Sequence, residues 1–527
     1  MSGHSIRLHL VSSSTTLPLW ARNMVAAMLA QPGASWQGWT VAAASATTLG
    51  LAERLYHAVD RRLMATGPSV DAPATLPQPP AITGADWPRR DGRIQLPAAA
   101  LHAWQLAGID LVVWLLPQPP QLESAVPPGL GLWLLTLDGM AAADPRAGAH
   151  AMLNAPHLCE TQLLDYAATP PALLYRSVSA AVTNSLSATR RRALNKAQAF
   201  MARCLAARLA GRPLVPPAQA DLPAPATTTT TTPPGGMAQL LGVAQRVVHN
   251  RLERKRHLDQ WQLAFTFDAT TPWHQLDRFH FIVPPPEVFW ADPMPLYWQG
   301  QHWIMFEELP FAAPRGRLLA LEVHADGSYG TPLPVMETPY HLSYPFMIRQ
   351  QDQLYMVPET SATRRVELHR CTGFPGQWEL DSVLLEGVNA VDATLRQLDD
   401  GRWWMWVSVV EEGAERGEEL HLYYADRLQG PWQAHAANPV VSDIRCARPA
   451  GPIVADAAGL LRPAQNSAAG YGHHIEWRRI TALTPEHYAE EAAGSLQPQG
   501  DPRWLRMHTV GEADGLRVVD VMVRRPR

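Results

Sequence analysis

The sequence predicts a multidomain chain, an α/β domain followed by an all-β five-bladed β-propeller. Three observations predict it. A short polar signature recurs five times beyond residue 285, each time followed by a turn and an apolar strand. Buried-type strands alternate with helices in the first part of the chain. A tract of proline and threonine, which cannot pack, separates the two.

The five signatures are Trp290-Ala291-Asp292-Pro293, Tyr344-Pro345-Phe346, Val391-Asp392-Ala393-Thr394, Ala447-Arg448-Pro449-Ala450 and His508-Thr509-Val510. The strands after them run over 301–306, 353–357, 402–407, 460–464 and 516–521. Gly300, Gly401, Gly459 and Gly515 mark four of the turns and Gln351-Asp352 the other. Self-similarity at about 50 residues, with about four strands per unit, belongs to a propeller. A propeller gathers the starts of its innermost strands around one axis, so the polar signatures should converge there.

In the α/β domain, 1–212, residues 6–11 read as a buried strand, 12–16 as a loop and 18–29 as a helix. A second buried strand covers 109–116, and a helix over 187–209 closes the domain. Residues 65–90 hold many prolines and read as a long surface loop. The linker, 213–236, contains the six threonines 227–232. Residues 237–279 supply a connecting helix and an entry strand. That helix, 237–258, is basic and amphipathic, fit to pack on the propeller or to meet an anionic membrane surface. The propeller takes 280–527.

The 527 residues carry a net charge of −4, with 17% charged residues. Nothing in that balance favours nucleic acid. The four cysteines are far apart and lack metal-ligand spacing, so neither a metal nor a cofactor is expected. There is no signal-like apolar core at the start and no stretch of the ~18 apolar residues that span a bilayer. The expectation is a cytoplasmic protein. The 19 tryptophans gather mainly in the second half. They serve blade packing or, at Trp290, a platform for a sugar ring.

Sugar-processing propellers need carboxylates at the axis: a base or nucleophile, an acid, and a group that tunes the acid. Asp292 and Asp392 stand at matched positions of two signatures and are the first candidates. Glu359, in Pro358-Glu359-Thr360-Ser361, sits at the far end of the second blade's inner strand. Each could instead cap a turn or staple a blade. Arg448 holds the matched position in the fourth signature and binds carboxylate or phosphate well. Trp290, His341, Tyr344, Arg365, Gln465 and His473 complete the candidate substrate-binding set.

Residues 280–527 resemble the five-bladed propellers of arabinanases, xylosidases and fructan-processing enzymes, through Trp290-Ala-Asp292-Pro293 and Val391-Asp392-Ala-Thr394. They also resemble the propeller that precedes the transferase domain in plant glucosamine inositolphosphorylceramide transferases. The residues carrying that likeness are Phe289–Pro293, His341–Phe346, Pro358–Ser361, Glu419–Asp426 and Arg462–Gln465. This implies carbohydrate chemistry in glycan or glycolipid metabolism. Arabinanase-like enzymes keep a general-acid glutamate where this chain has Arg448, so Glu359 would supply the acid, or an anionic glycan or phosphosugar would be bound without cleavage. The first domain resembles the Rossmann-like half of formyltransferases, through Ile109–Leu116, Gly131-Leu-Trp133 and the 190–209 helix. Those enzymes use an Asn, a His and an Asp. Asn154 and His157 stand out of that pattern, which implies a non-catalytic domain. Three functions therefore stay open: glycosyl hydrolysis or transfer, a glycan-binding module serving a separate glycosyltransferase, and amino-sugar formyl transfer.

Overall fold

The computed structural model describes residues 5–43, 49–64, 69–77, 79–90, 93–212, 214, 216, 217, 242, 245, 256–313, 315–410 and 415–526. The expected linker, 213–236, and helix, 237–258, lie almost wholly outside them. Two compact units are present, the first within 1–217 and the second from Asn250 onward.

The first unit is built on a mixed sheet. Its strands are β1 (Ile6–Ser12), β2 (Ala34–Ala42), β3 (Ile82–Ala85), β4 (Leu111–Trp114), β5 (Gly131–Leu137), β6 (Leu158–Asp165) and β7 (Ala172–Ala180), in the order β7-β6-β5-β4-β1-β2-β3. From β5 to β3 the neighbours are parallel, and β6 and β7 are antiparallel additions. Helices cover both faces, as a parallel sheet requires. In β4, Leu111 and Val113 pack on α1 (Leu19–Leu29) and α4 (Leu186–Leu209), while Val112 and Trp114 pack on α3 (Ala98–Leu106). That alternation is why the strand reads as one apolar run. Helix α2 (Leu51–Val59) follows β2. The loop expected over 65–90 differs from the structure, which places edge strand β3 inside it. Its residues are largely exposed and carry no apolar alternation, so periodicity could not reveal it.

The second unit is a five-bladed propeller. Four successive antiparallel sheets start at Val288, Ser343, Ala390 and Arg448. The fifth is closed by both ends of the unit: His257–Thr266 pairs with Leu516–Pro526, which also pairs with Trp504–Arg506 and Val510–Ala513. The strand at 257 is thus part of the ring, which begins before the expected boundary of 280. Hairpin turns Gln299-Gly300 and Asp514-Gly515 hold two successive positive φ angles, the conformation that matches strand twist. The inner strands of the first three blades are buried on both faces. In Trp403–Val409, residues Trp403, Met405 and Val407 face one neighbouring layer and Trp404 and Trp406 another. Most tryptophans are accounted for by such packing. Among the described residues, no helix is long and apolar enough to cross a membrane.

Candidate functional site

The signature residues occupy the innermost strand of each blade. In blades one to three, pairing between the inner and second strands slips at Ala291/Met294, Ser343/Phe346 and Val391/Thr394. At each slip one residue takes a left-handed backbone: Asp292 at φ 53°, Tyr344 at 45° and Asp392 at 55°. Such a conformation costs a non-glycine residue about 1–3 kcal/mol and persists only where surroundings impose it. Here the repeated bulge turns three matched side chains toward the axis.

Asp292 is tightly held. Its Oδ1 accepts from Thr509 Oγ1 at 2.9 Å and lies 3.1 Å from His508 Nε2. Its Oδ2 accepts from the Tyr344 amide at 3.2 Å. His508 in turn has Nδ1 2.9 Å from Asp520 Oδ2, close enough for an ion pair though off the line of a hydrogen bond. Asp520 Oδ1 accepts the amides of His508 and Thr509, and its Oδ2 accepts the amide of Asp292. Burial opposes the charge on both partners. Even so, the carboxylates on either side hold His508 up at about 10, and His508 and Arg448 hold Asp292 below the ordinary carboxylate value. Asp292, His508 and Asp520 converge closely enough to ligate a cation. With no ion between them, the two carboxylates favour the protonated ring, and an ion would have to displace that proton. The protonated ring itself supplies the positive charge between the two acids.

Asp392 is held on one side only. Oδ2 accepts from Arg448 Nε and from Gln465 Nε2, the latter at 3.1 Å. Oδ1 is buried without a partner. Burial raises this acid to about 7 against the pull of Arg448, with Glu359 and Asp292 adding repulsion. Glu307, on the second strand of blade one opposite Ala291, is pushed well above the usual range by burial, then by Asp292 and Glu359. Its Oε1 also lacks a partner and lies 3.6 Å from His341 Nε2. His341 Nδ1 accepts the Gly316 amide, so Nε2 bears the hydrogen and points its donor side at Glu307. Glu359 accepts from Ser361 Oγ at 2.7 Å and Ser343 Oγ at 3.3 Å, with Arg416 3.6 Å away. Tyr344 ties the group together: its hydroxyl meets Thr394 Oγ1 at 2.7 Å and accepts the Gly451 amide at 2.8 Å. The partly exposed members, His341, Arg416 and Tyr471, each touch a buried charged group and so form the rim. Tyr471 lies under the Arg448 guanidinium at 4.9 Å and beside the His508 ring at 5.2 Å.

Asp292, Asp392, Glu359, His341, Tyr344, Arg448 and Gln465 are therefore linked in one network. Three expectations are corrected, and His473 is given only a local partner. Trp290 is buried, bound through Nε1 to Glu308 at 2.9 Å and packed on Phe306, so it offers no face to a sugar. Arg365 pairs with Glu386 on the outer strands of blade two. His473 bonds to the neighbouring His474. Glu359 ends the second strand of its blade, and antiparallel pairing with Ser343 brings it back to the signature end. Glu307, Asp520 and Tyr471 were missed, and His508 and Thr509 were marked only as the fifth signature, without a role. Adjacent acids at 307 and 308 ending an apolar strand, and a lone Asp520 inside Val518-Val-Asp-Val-Met522, were the available signals.

The His508 cluster joins the closing blade to blade one and carries a pH signature. A histidine raised from 6.5 to about 10 stabilises the fold fully below its unfolded value and loses that contribution as pH rises through about 10. His508→Gln is expected to be clearly less stable than the natural protein at pH 7. Denaturant midpoints measured from pH 7 to 11 should show the gap closing. A constant gap would contradict a charged His508.

Residues 283–500 match the family model described as glucosamine inositolphosphorylceramide transferase 1, N-terminal. Glucosamine inositolphosphorylceramide transferase 1 of Oryza sativa subsp. japonica is 32% identical over 210 residues, covering 39% of this chain and 28% of the rice protein. The Arabidopsis thaliana protein of the same name is 29% identical over 232 residues, covering 42% of this chain and 30% of that protein. The chain thus spans less than a third of the length of these relatives. Among solved structures, the chain is similar to a family-43 β-xylosidase/α-arabinofuranosidase from a compost metagenome, with TM-score 0.34 and 12% identity over 46% of this chain and 92% of that one. A thermostable family-43 glycoside hydrolase gives TM-score 0.31 and 11% identity over 41% and 78%.

Proposed function

We propose that the propeller acts on the sugar portion of a glycan or glycolipid, by glycosyl hydrolysis or transfer at its axial site. The observation that carries this reading is the opposed state of neighbouring buried acids. Asp292 is held ionised by His508, while Glu307 is pushed toward the protonated form and keeps an oxygen unpartnered. Pairs of acids driven apart in this way divide acid and base work between them. Glu307 takes the proton-donor role, in preference to Glu359, whose oxygens already accept two hydroxyls. Asp392 takes the base role, since Oδ1 is free and its affinity for a proton lies near neutrality, where general bases work best. Asp292, with three donors on two oxygens, serves as fixed negative charge. Arg448 holds Asp392 through Nε and can present its remaining N–H groups to an oxyanion of the substrate.

The matched relatives, named as inositolphosphorylceramide transferases, support a glycolipid among the substrates to be tried. The parallel order β3-β2-β1-β4-β5 supports a Rossmann-like reading of the first unit. A second reading, a glycan-binding module, draws on the near-saturation of Asp292. Product analysis on a glycan and glycolipid array separates the two. Turnover of at least one sugar ligand is expected, reduced by Asp292→Asn because the charge facing Glu307 and Asp392 is lost. Ligands recovered unchanged from excess protein would leave binding as the function.

A further inference from the structure

The chain leaves β1 toward β2 on one side of the first unit's sheet and later enters β4 on the other. The winding therefore reverses between β1 and β4. Open sheets hold ligands beyond the carboxyl ends of their strands at such a reversal. A cavity of about 200 Å³ lies at that place, lined by the loop after β1, the start of α1 and the residues after β4. Ser12 and the exposed residues Ser13, Ser14 and Thr16 line its open side, and Leu115 and Pro145 contribute apolar lining. No lining residue is charged.

Three details define what fits. Ser12 is committed, accepting from Trp39 Nε1 and donating to the Ser14 carbonyl, whereas the Ser13 and Thr16 hydroxyls have no partner among the described residues. Trp20 also lines the cavity. It is 1% exposed, and its indole N–H has no acceptor, a costly state for a buried donor. The first amides of α1 are already used, Leu19 by the Ala72 carbonyl and Trp20 by the Val70 carbonyl. With these two amides committed and no charged side chain in the lining, the cavity offers little to a phosphate. The volume equals roughly that of six or seven waters at ~30 Å³ each. That is below the ~300–1,000 Å³ of sites for larger ligands, too small for a dinucleotide or a folate.

We propose that this crevice is a binding site for an uncharged, polyhydroxylated molecule of monosaccharide size. The serine and threonine hydroxyls would exchange hydrogen bonds with ligand hydroxyls. The indole N–H would donate to a ligand oxygen, and the apolar wall would cover the C–H face of the ring. The site is independent of the propeller chemistry.

Titration of the full chain with glucose, N-acetylglucosamine and mannose, followed by calorimetry and tryptophan fluorescence, tests it. Saturable binding of at least one neutral sugar is expected. Ala143→Leu, which fills the cavity, should weaken it by about tenfold or more, and Trp20→Phe, which keeps the ring but removes the donor, should weaken it less. Because Ala143 and Trp20 belong to the first unit, a loss of binding in those two variants also separates this site from the propeller. Glucose 6-phosphate should bind more weakly than glucose. Absence of saturable binding by any of the three sugars, binding indifferent to Ala143→Leu, or preference for the phosphorylated sugar would each overturn the proposal.

Discussion

Replacing Arg448 by alanine is expected to lower the unfolding free energy by about 3–5 kcal/mol, the usual cost of removing one partner of a buried ion pair. The guanidinium is buried, joined through Nε to Asp392 and stacked on Tyr471. Its loss leaves Asp392 with only Gln465 as a donor and repelled by Glu359 and Asp292. Arg448→Ala combined with Asp392→Asn should recover a large part of the deficit, because no charge is then left unpaired. Urea unfolding of the natural protein, both single variants and the double variant gives the coupling directly. A double variant as unstable as the sum of the singles would show that Arg448 acts through packing instead of charge.

The largest effect on turnover is expected at Glu307 and Asp392. Glu307→Gln removes the transferable proton and keeps the shape, and Asp392→Asn removes the base. Each should lower kcat by about 10²–10⁴-fold, the range of a positioned acid or base, with little change in affinity. The pH profile tells them apart. A base that titrates at about 7 gives activity that rises with pH through that value, and Asp392→Asn should abolish that rise. A profile unaltered by Asp392→Asn but flattened by Asp292→Asn would give the base role to Asp292 instead.

The propeller was legible because its information is periodic. Five signatures, each with a turn and an apolar strand, recur whatever their exact residues. The axial direction of Asp292 and Asp392 was legible for the same reason, since matched positions in a ring face the same point. Glu307 and Asp520 were not, because each stands once, on a second or closing strand where the repeat predicts packing. Their proximity to the axis depends on cross-strand register, Ala291 opposite Glu307 and Leu263 opposite Asp520, which a single strand's sequence does not encode. Trp290 failed for the opposite reason. It stands two residues before Asp292, where regular alternation would put both on one face, but the bulge at Asp292 breaks that alternation and the indole goes into the blade. In the first unit, uniformly apolar strands announced a sheet covered on both sides, while the exposed edge strand β3 carried no such mark.

The closing sheet has a consequence for the order of events during synthesis. His257–Thr266 pairs along one edge with His280–Ile282, but its other edge finds a partner only when Leu516–Pro526 has emerged, with four blades made in between. Until then the earliest strand of the ring waits with an open hydrogen-bonding edge, the most exposed position a nascent β-chain can occupy. His508 and Asp520 arrive with the last segment, and the amide of Asp292, made more than two hundred residues earlier, has no acceptor until they do. The axial charges are therefore complete only once the last segment of the chain has been made. Any nascent or truncated chain that stops short of Leu516 carries the earlier blades around an acid cluster in which His508 is left without Asp520.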